Sequence, residues 1–331
     1  MVCFYGGQYL MAVEIPTEKY AAKVREVTIG ATADEGGTRS RTITVGGEAT
    51  LPFLPHEGEL PHAPILAVDI REQKPDDWSP LLYKAWGGAM DDPAEWAKAA
   101  EAAGADLIYL TLSLTKADGE TNTPENTRAV VRKVLEATGL PLAIIGPGQA
   151  EVDNELIVPA AEEAKGERVL LGICEDKNYR TIVASALAND HLVQSKTPMD
   201  VNLSKQLVIL ISDMGMPLER IIMDPTTGAL GYGIEYGYSV MERLRMAALQ
   251  GDTMTQQPML VNPGEETWKV KESKVGEGVP TPWGDWERRA LAWEAITATT
   301  LLLSGADILV LRHPETMKRI RGVIEQLGTS A

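Results

Sequence analysis

An eight-stranded parallel βα-barrel, α/β and of the TIM (βα)8 type, with a short N-terminal β-hairpin before it, is the fold class this 331-residue sequence predicts. Eight short aliphatic or β-branched runs recur along the chain. Segments with helical spacing fill the intervals between them. The runs are apolar without interruption, as strands covered on both faces are.

The runs occupy residues 65–70, 107–112, 142–145, 169–173, 192–194, 221–223, 259–261 and 308–311. Helical spacing covers residues 93–103, 124–138, 178–189, 199–214, 234–250 and 283–304. Pro93 and Pro124 stand as first-turn prolines, with Gly104 and Gly139 as C-terminal stops. Eightfold strand–helix alternation implies parallel units closing on themselves. An open doubly wound sheet is the competing arrangement. Ahead of the barrel, residues 24–29 and 42–45 flank a polar turn and read as a hairpin that plugs the barrel bottom. The chain then divides into an extension and hairpin over residues 1–60 and a barrel over residues 61–331.

Composition removes several functions. Lys and Arg number 31 against 47 Asp and Glu, a net charge of −16. Nucleic acid and anionic lipid both require the opposite balance. Two cysteines cannot supply the four thiolates of a four-iron cluster, and they make no disulfide framework, which suits a reducing, cytoplasmic compartment. No apolar run reaches the ~20 residues that span a bilayer. The first ten residues lack the basic and apolar regions of a signal peptide, and Met11 is an alternative start.

A barrel of this kind builds its site at the carboxyl ends of its strands. Asp69, Thr111, Ser113, Gly146-Pro147-Gly148, Cys174, Glu175, Ser195, Asp224, Asn262, Arg312 and His313 fall there. The set is polar but sparse for catalysis, and no catalytic residue is assigned. None of the four histidines has ligand spacing to another, so no metal site is expected. His313 reads as a mouth residue or as a helix-start residue before Pro314. Asp224 reads as an acceptor for a heterocycle's N–H groups, as an N-cap, or as a partner of Arg312. Asp69 has the same readings. Cys174, with no base in sight, reads as a buried small apolar side chain.

The run Gly228-Ala-Leu-Gly-Tyr-Gly-Ile-Glu-Tyr-Gly-Tyr238 lacks the dinucleotide glycine order, and there is no Walker A sequence. Its glycines permit close backbone approach to a flat partner, beside Tyr232, Tyr236 and Tyr238. Two long loops, residues 71–93 and 262–282, follow the first and seventh strands. With the start of the next helix they carry Trp78, Trp86, Trp268, Trp283 and Trp286. These form either a docking rim or the packing of the loops onto the barrel.

Several of these stretches together resemble one family. They are Gly30-Ala-Thr-Ala-Asp-Glu-Gly-Gly-Thr-Arg-Ser40, Gly104-Ala-Asp-Leu-Ile-Tyr-Leu110, Ile222-Met-Asp-Pro225, Gly228-Ala-Leu-Gly-Tyr-Gly-Ile-Glu-Tyr236, Met241-Glu-Arg-Leu-Arg245, Ala248-Leu-Gln-Gly-Asp252 and Leu311-Arg-His-Pro-Glu315. The sequence resembles the small subunit of the corrinoid iron–sulfur protein, the delta-type subunit of CO dehydrogenase/acetyl-CoA synthase, over nearly the whole barrel.

The resemblance implies a non-catalytic barrel paired with a large subunit that carries the iron–sulfur cluster and a corrinoid (cobalamin) domain. The corrinoid would lie between that domain and this barrel. Its cobalt would take a methyl group from a methyltetrahydrofolate methyltransferase and pass it to acetyl-CoA synthase. Thr226, Gly228, Tyr232 and Tyr236 would approach the corrin edge, with Arg312 and His313 lining the mouth and the Trp loops meeting a partner. The cobalt-ligand motif Asp-x-His-x-x-Gly is absent, since Asp190 and His191 are adjacent, which agrees with an accessory half. The alternative is a pterin-dependent methyltransferase that binds methyltetrahydrofolate through Asp69, Asp224 and Asn262.

Overall fold

Eight parallel strands make one sheet: β1 (Ile65–Arg71), β2 (Leu107–Thr111), β3 (Leu142–Ile145), β4 (Leu170–Cys174), β5 (Leu192–Lys196), β6 (Ile221–Asp224), β7 (Leu260–Val261) and β8 (Ile308–Leu311). The structure is a computed structural model and describes residues 3–5, 8–10 and 16–328. Strand order is β6-β5-β4-β3-β2-β1-β8-β7. A parallel bridge between Met223 and Met259 completes the ring, and Met223 N donates to Pro258 O at 2.9 Å. The predicted (βα)8 barrel is the fold.

The helices that follow the strands are α1 (Pro93–Ala102), α2 (Pro124–Ala137), α3 (Ala150–Glu163), α4 (Tyr179–Asn189), α5 (Val201–Asp213), α6 (Ile234–Leu249), α7 (Trp286–Leu303) and α8 (Pro314–Gly328), with shorter helical turns at Pro80–Trp86, Pro263–Thr267 and Lys271–Lys274 in the long loops. Asp92, Thr123, Asp200 and Asp285 cap α1, α2, α5 and α7 by accepting first-turn backbone N–H groups. Helices α3 and α8 add to the six read from sequence. Pro159 lies inside α3, where proline ordinarily argues against a helix.

Two apolar cores follow from this geometry. One fills the space between sheet and helices. The other fills the barrel with Ile65, Ala67, Leu107, Tyr109, Ala143, Ile145, Leu170, Leu192, Ile222, Leu260, Ile308 and Val310. An antiparallel hairpin, Val27–Ile29 against Ile43–Val45, closes the lower end and contributes Val27, Ile29, Ile43 and Val45 to that inner core. The hairpin is the plug its pattern suggested.

Its turn is latched to the loops that enter the strands. Gly30 N donates to Arg168 O at 2.9 Å and Ser40 N to Gly139 O at 2.8 Å. Buried Arg39 donates to Glu167 Oε2 and to the Thr138 carbonyl, each at 2.8 Å. A Cβ on Gly37 would sit 2.2 Å from Ala31 O, so the Gly-Gly-Thr-Arg-Ser turn is built for close chain packing. The readings made for Met1–Leu10 and Met11 fall largely outside the described residues. Of that stretch only Cys3–Tyr5 and Gln8–Leu10 are described, paired antiparallel.

Candidate functional site

Alternate residues of each strand face the barrel axis, and these inward positions change character along the strand. Ile65 and Ala67 of β1 lie in the inner core, and the next inward positions are Asp69 and Arg71. On β5 Leu192 is followed by Gln194 and Lys196. On β6 Ile222 is followed by Asp224, after β7 Leu260 by Asn262, and after β8 Val310 by Arg312. The lower barrel is therefore apolar, and the mouth is lined with charge.

Of these charges, Asp69, Arg71 and Arg312 are paired with one another. Arg312 Nε donates to Asp69 Oδ2 at 2.7 Å, and Arg71 Nη2 donates to the same oxygen at 2.9 Å. The Arg312 guanidinium lies 4.2 Å from the Trp78 ring centre, a cation–π contact that covers the pair from above. Gln194 Nε2 donates to Asp224 Oδ2 at 2.8 Å, and Thr226 N donates to Asp224 Oδ1 at 2.9 Å. Asn262 Oδ1 accepts from Glu265 N at 2.9 Å.

Burial would raise the Glu265 carboxyl, but the cations of Lys269, Arg312 and Arg71 outweigh it and bring the group down to about 2. Burial works against the Lys196 ammonium, yet the carboxylates of Asp224, Glu265 and Glu175 push its pKa up. Cys174 is fully buried, and burial pushes its thiol up, leaving it an apolar filler.

The glycine-rich segment forms the rim after β6. Thr226 holds a left-handed backbone (φ 60°), rare for a β-branched residue, fixed by its hydroxyl donating to Thr197 O at 2.6 Å. A Cβ on Gly228 would lie 2.4 Å from Gly233 O, so the loop folds back on its own backbone. Trp293 Nε1 donates to Leu230 O at 3.0 Å and ties the loop to α7. The result is a rigid shelf that presents Tyr232 and Tyr236, 52% and 66% exposed. The Tyr232 hydroxyl donates to Glu272 Oε2 at 3.0 Å, joining the shelf to the loop after β7. Met199 packs beside it, its Cε 4.0 Å from where a Gly233 Cβ would lie.

The six residues picked from sequence thus divide. Thr226, Gly228, Tyr232 and Tyr236 share the shelf. Arg312 and His313 lie buried under the tryptophan loops, 4% and 7% exposed. His313 stacks on Trp268 at 5.9 Å between ring centres, and burial brings its imidazole down to about 4. Trp78 and Trp86 pack against Trp96, with ring centres 5.5 and 6.3 Å away, and Trp86 Nε1 donates to Arg312 O. Of the five loop tryptophans, Trp78, Trp86 and Trp268 pack the loops down, and only Trp283 and Trp286 are half-buried. Sequence reasoning missed Arg71, Gln194, Lys196 and Glu265. Carrying the inward alternation one residue further along β1 and β5 would have found the first three.

Comparison with known proteins identifies the family. The family model for the CO dehydrogenase/acetyl-CoA synthase delta subunit matches residues 26–323. The chain belongs to that family. A delta subunit of the acetyl-CoA decarbonylase/synthase complex from Archaeoglobus fulgidus is 38% identical over 323 residues, covering 94% of this chain and 70% of the relative. The corresponding subunit of Methanopyrus kandleri is 36% identical over 308 residues, covering 92% and 75%. Among solved structures, a dihydropteroate synthase from Xanthomonas albilineans superposes with a TM-score of 0.55 at 14% identity, covering 84% of this chain and 98% of that one. At that identity the likeness concerns the barrel fold alone. This delta-family chain has no helix among its described residues long and apolar enough to cross a membrane. No cluster of three or more His, Cys, Asp or Glu among the described residues could hold a metal ion.

Proposed function

We propose that this delta-family chain is the non-catalytic barrel half of a cytoplasmic corrinoid methyl carrier, and that its rim covers the corrinoid held by a larger partner subunit. The observation that carries this reading is the contrast between mouth and shelf. Asp69, Arg71, Arg312, Asp224 and Asn262 of the mouth are each already engaged within the chain, while two tyrosines stand exposed on a glycine-rich shelf beside it. A corrin is a broad flat ring fringed with amides. Aromatic faces, a phenol hydroxyl and closely approaching backbone are the groups that suit its edge.

The residues present fit such a group without ligating it. His313 is stacked on Trp268, and the ring nitrogens of His191 are engaged with Ala161 O and Val169 N. The cobalt, which supplies the methyl-accepting chemistry when the cofactor is bound, would therefore be reached from the partner's side. Tyr232, Tyr236 and the backbone at Gly228 and Thr226 would orient the ring edge, and the paired mouth beneath would exclude water. Arg312 would act from below by holding the β8 end of the rim in place, with His313 packed beside it. A methyltetrahydrofolate methyltransferase and acetyl-CoA synthase would be the donor and acceptor partners. The pterin reading assigns Asp69, Asp224 and Asn262 to a heterocycle, but each already has a partner within the chain.

Replacing both shelf tyrosines (Tyr232→Ala with Tyr236→Ala) should at least halve the corrinoid retained per assembly, read from its visible absorbance after gel filtration. Unchanged corrinoid content in the double variant removes the shelf from the cofactor site.

A further inference from the structure

The shelf and the loop after β7 meet where the Tyr232 hydroxyl donates to Glu272 Oε2 at 3.0 Å. Both ends of this contact are fixed from behind. Tyr232 N donates to Ala229 O at 2.8 Å, inside the glycine-rich fold-back. The Glu272 carbonyl accepts from Arg289 Nε at 2.7 Å. Arg289, 8% exposed, also donates to Val275 O at 2.7 Å and to Trp283 O and Gly284 O, each at 3.2 Å. One arginine of α7 thus gathers the backbone carbonyls of Glu272, Val275, Trp283 and Gly284 with its rigid fork of donors. Trp286 Nε1 donates to Ser273 O at 2.8 Å, so the residue beside Glu272 is held as well. The carboxylate that faces Tyr232 belongs to a loop folded in advance of any ligand.

A carboxylate accepts and cannot donate, so the proton between the two oxygens belongs to the phenol. The hydrogen bond to Glu272 pushes the Tyr232 pKa up, and the hydroxyl stays protonated. With its one proton committed to Glu272, Tyr232 meets a ligand with its oxygen lone pairs. We infer that the Tyr232–Glu272 pair makes the shelf selective for primary-amide N–H groups over carboxylates on the edge of the ring it covers. An amide nitrogen at that place donates to the phenol oxygen. A carboxylate there brings no proton and adds a like charge beside Glu272. Arg289 is a positioning residue for this selection, acting through the Glu272 backbone. The inference rests on the corrinoid reading of the shelf and adds which chemical form of the ring fringe the shelf accepts.

The test is a competition in the assembly of this chain with its large subunit. A limiting amount of assembly is loaded anaerobically from an equal mixture of hydroxocobalamin and the monocarboxylic acids made by hydrolysing one propionamide of it at a time. Corrinoid retained after gel filtration is extracted and resolved by chromatography. Wild type should retain the all-amide form at least about tenfold better than one or more of the acids. Tyr232→Phe, which removes the acceptor and keeps the ring, should bring that ratio within about twofold. Glu272→Gln, which removes the charge and can itself donate to the phenol, should do the same, both with the melting temperature retained. Equal retention of amide and acid forms by wild type overturns the inference, as does a preference that neither substitution moves. In either case the shelf still stands as the cofactor site if the Tyr232→Ala, Tyr236→Ala double variant loses corrinoid. If that double variant retains its corrinoid, the shelf reading fails and this inference fails with it.

Discussion

Arg312 shows how a charged residue can be structural at the place where a ligand group is expected. Its guanidinium is shared with Asp69, covered by Trp78, and its own N–H is accepted by Glu294. Removing the carboxylate leaves two cations facing each other without their directly bonded counter-charge, with only Glu265 nearby. Asp69→Ala should therefore cost about 3–5 kcal/mol in urea unfolding, as the loss of one partner of a buried ion pair does. His313 makes a second, pH-dependent contribution. Burial holds its pKa at about 4 against an ordinary 6.5, so the unfolded chain binds the extra proton between those values. Its stabilisation is complete above about pH 6.5, falls as the pH drops toward 4 and then levels off. The full swing is on the order of 3 kcal/mol. Unfolding free energies of wild type and His313→Gln, compared at pH 5 and 7, should converge at the lower pH. A constant difference would assign the stacked imidazole a neutral packing role only.

At the level of elements, what the sequence made legible follows the physics of burial. Strands covered on both faces announce themselves as aliphatic runs, and all eight lie where those runs do. Proline and glycine marked the starts and stops of α1 and α2 because their backbone restrictions are local. Helix α3 was hidden by Pro159, whose compatibility depends on neighbours distant in sequence. The mouth was half legible. Asp69, Asp224, Asn262 and Arg312 were found as strand ends, but their mutual pairing is a tertiary fact that no local pattern encodes. The tryptophan loops carried a signal with two meanings, and packing claimed Trp78, Trp86 and Trp268. The glycine run of the shelf also answers to a contact within the chain. Gly228 is required by the chain's own fold-back on Gly233. Gly228→Ala should therefore disturb the shelf even without a cofactor. Faster proteolysis or amide exchange confined to residues 226–236 is expected, with the barrel strands unaffected. Unaltered exchange there would mean the shelf accommodates a side chain and is not held by this contact.

Across the whole molecule, one polypeptide puts an apolar plug at one end of a barrel and a paired polar mouth with an aromatic shelf at the other. Its net charge is −16, and it matches the delta-subunit family from residue 26 to 323. The account gives this chain a covering role, with redox and metal chemistry on its partner. The most direct test is to capture the tagged chain anaerobically from its source and record the ultraviolet–visible spectrum of what elutes. The account predicts a larger, cysteine-rich protein in equal amount, with corrinoid and iron–sulfur absorbance. A colourless barrel that elutes alone and binds methyltetrahydrofolate would contradict it and return Asp69, Asp224 and Asn262 to the centre of the site.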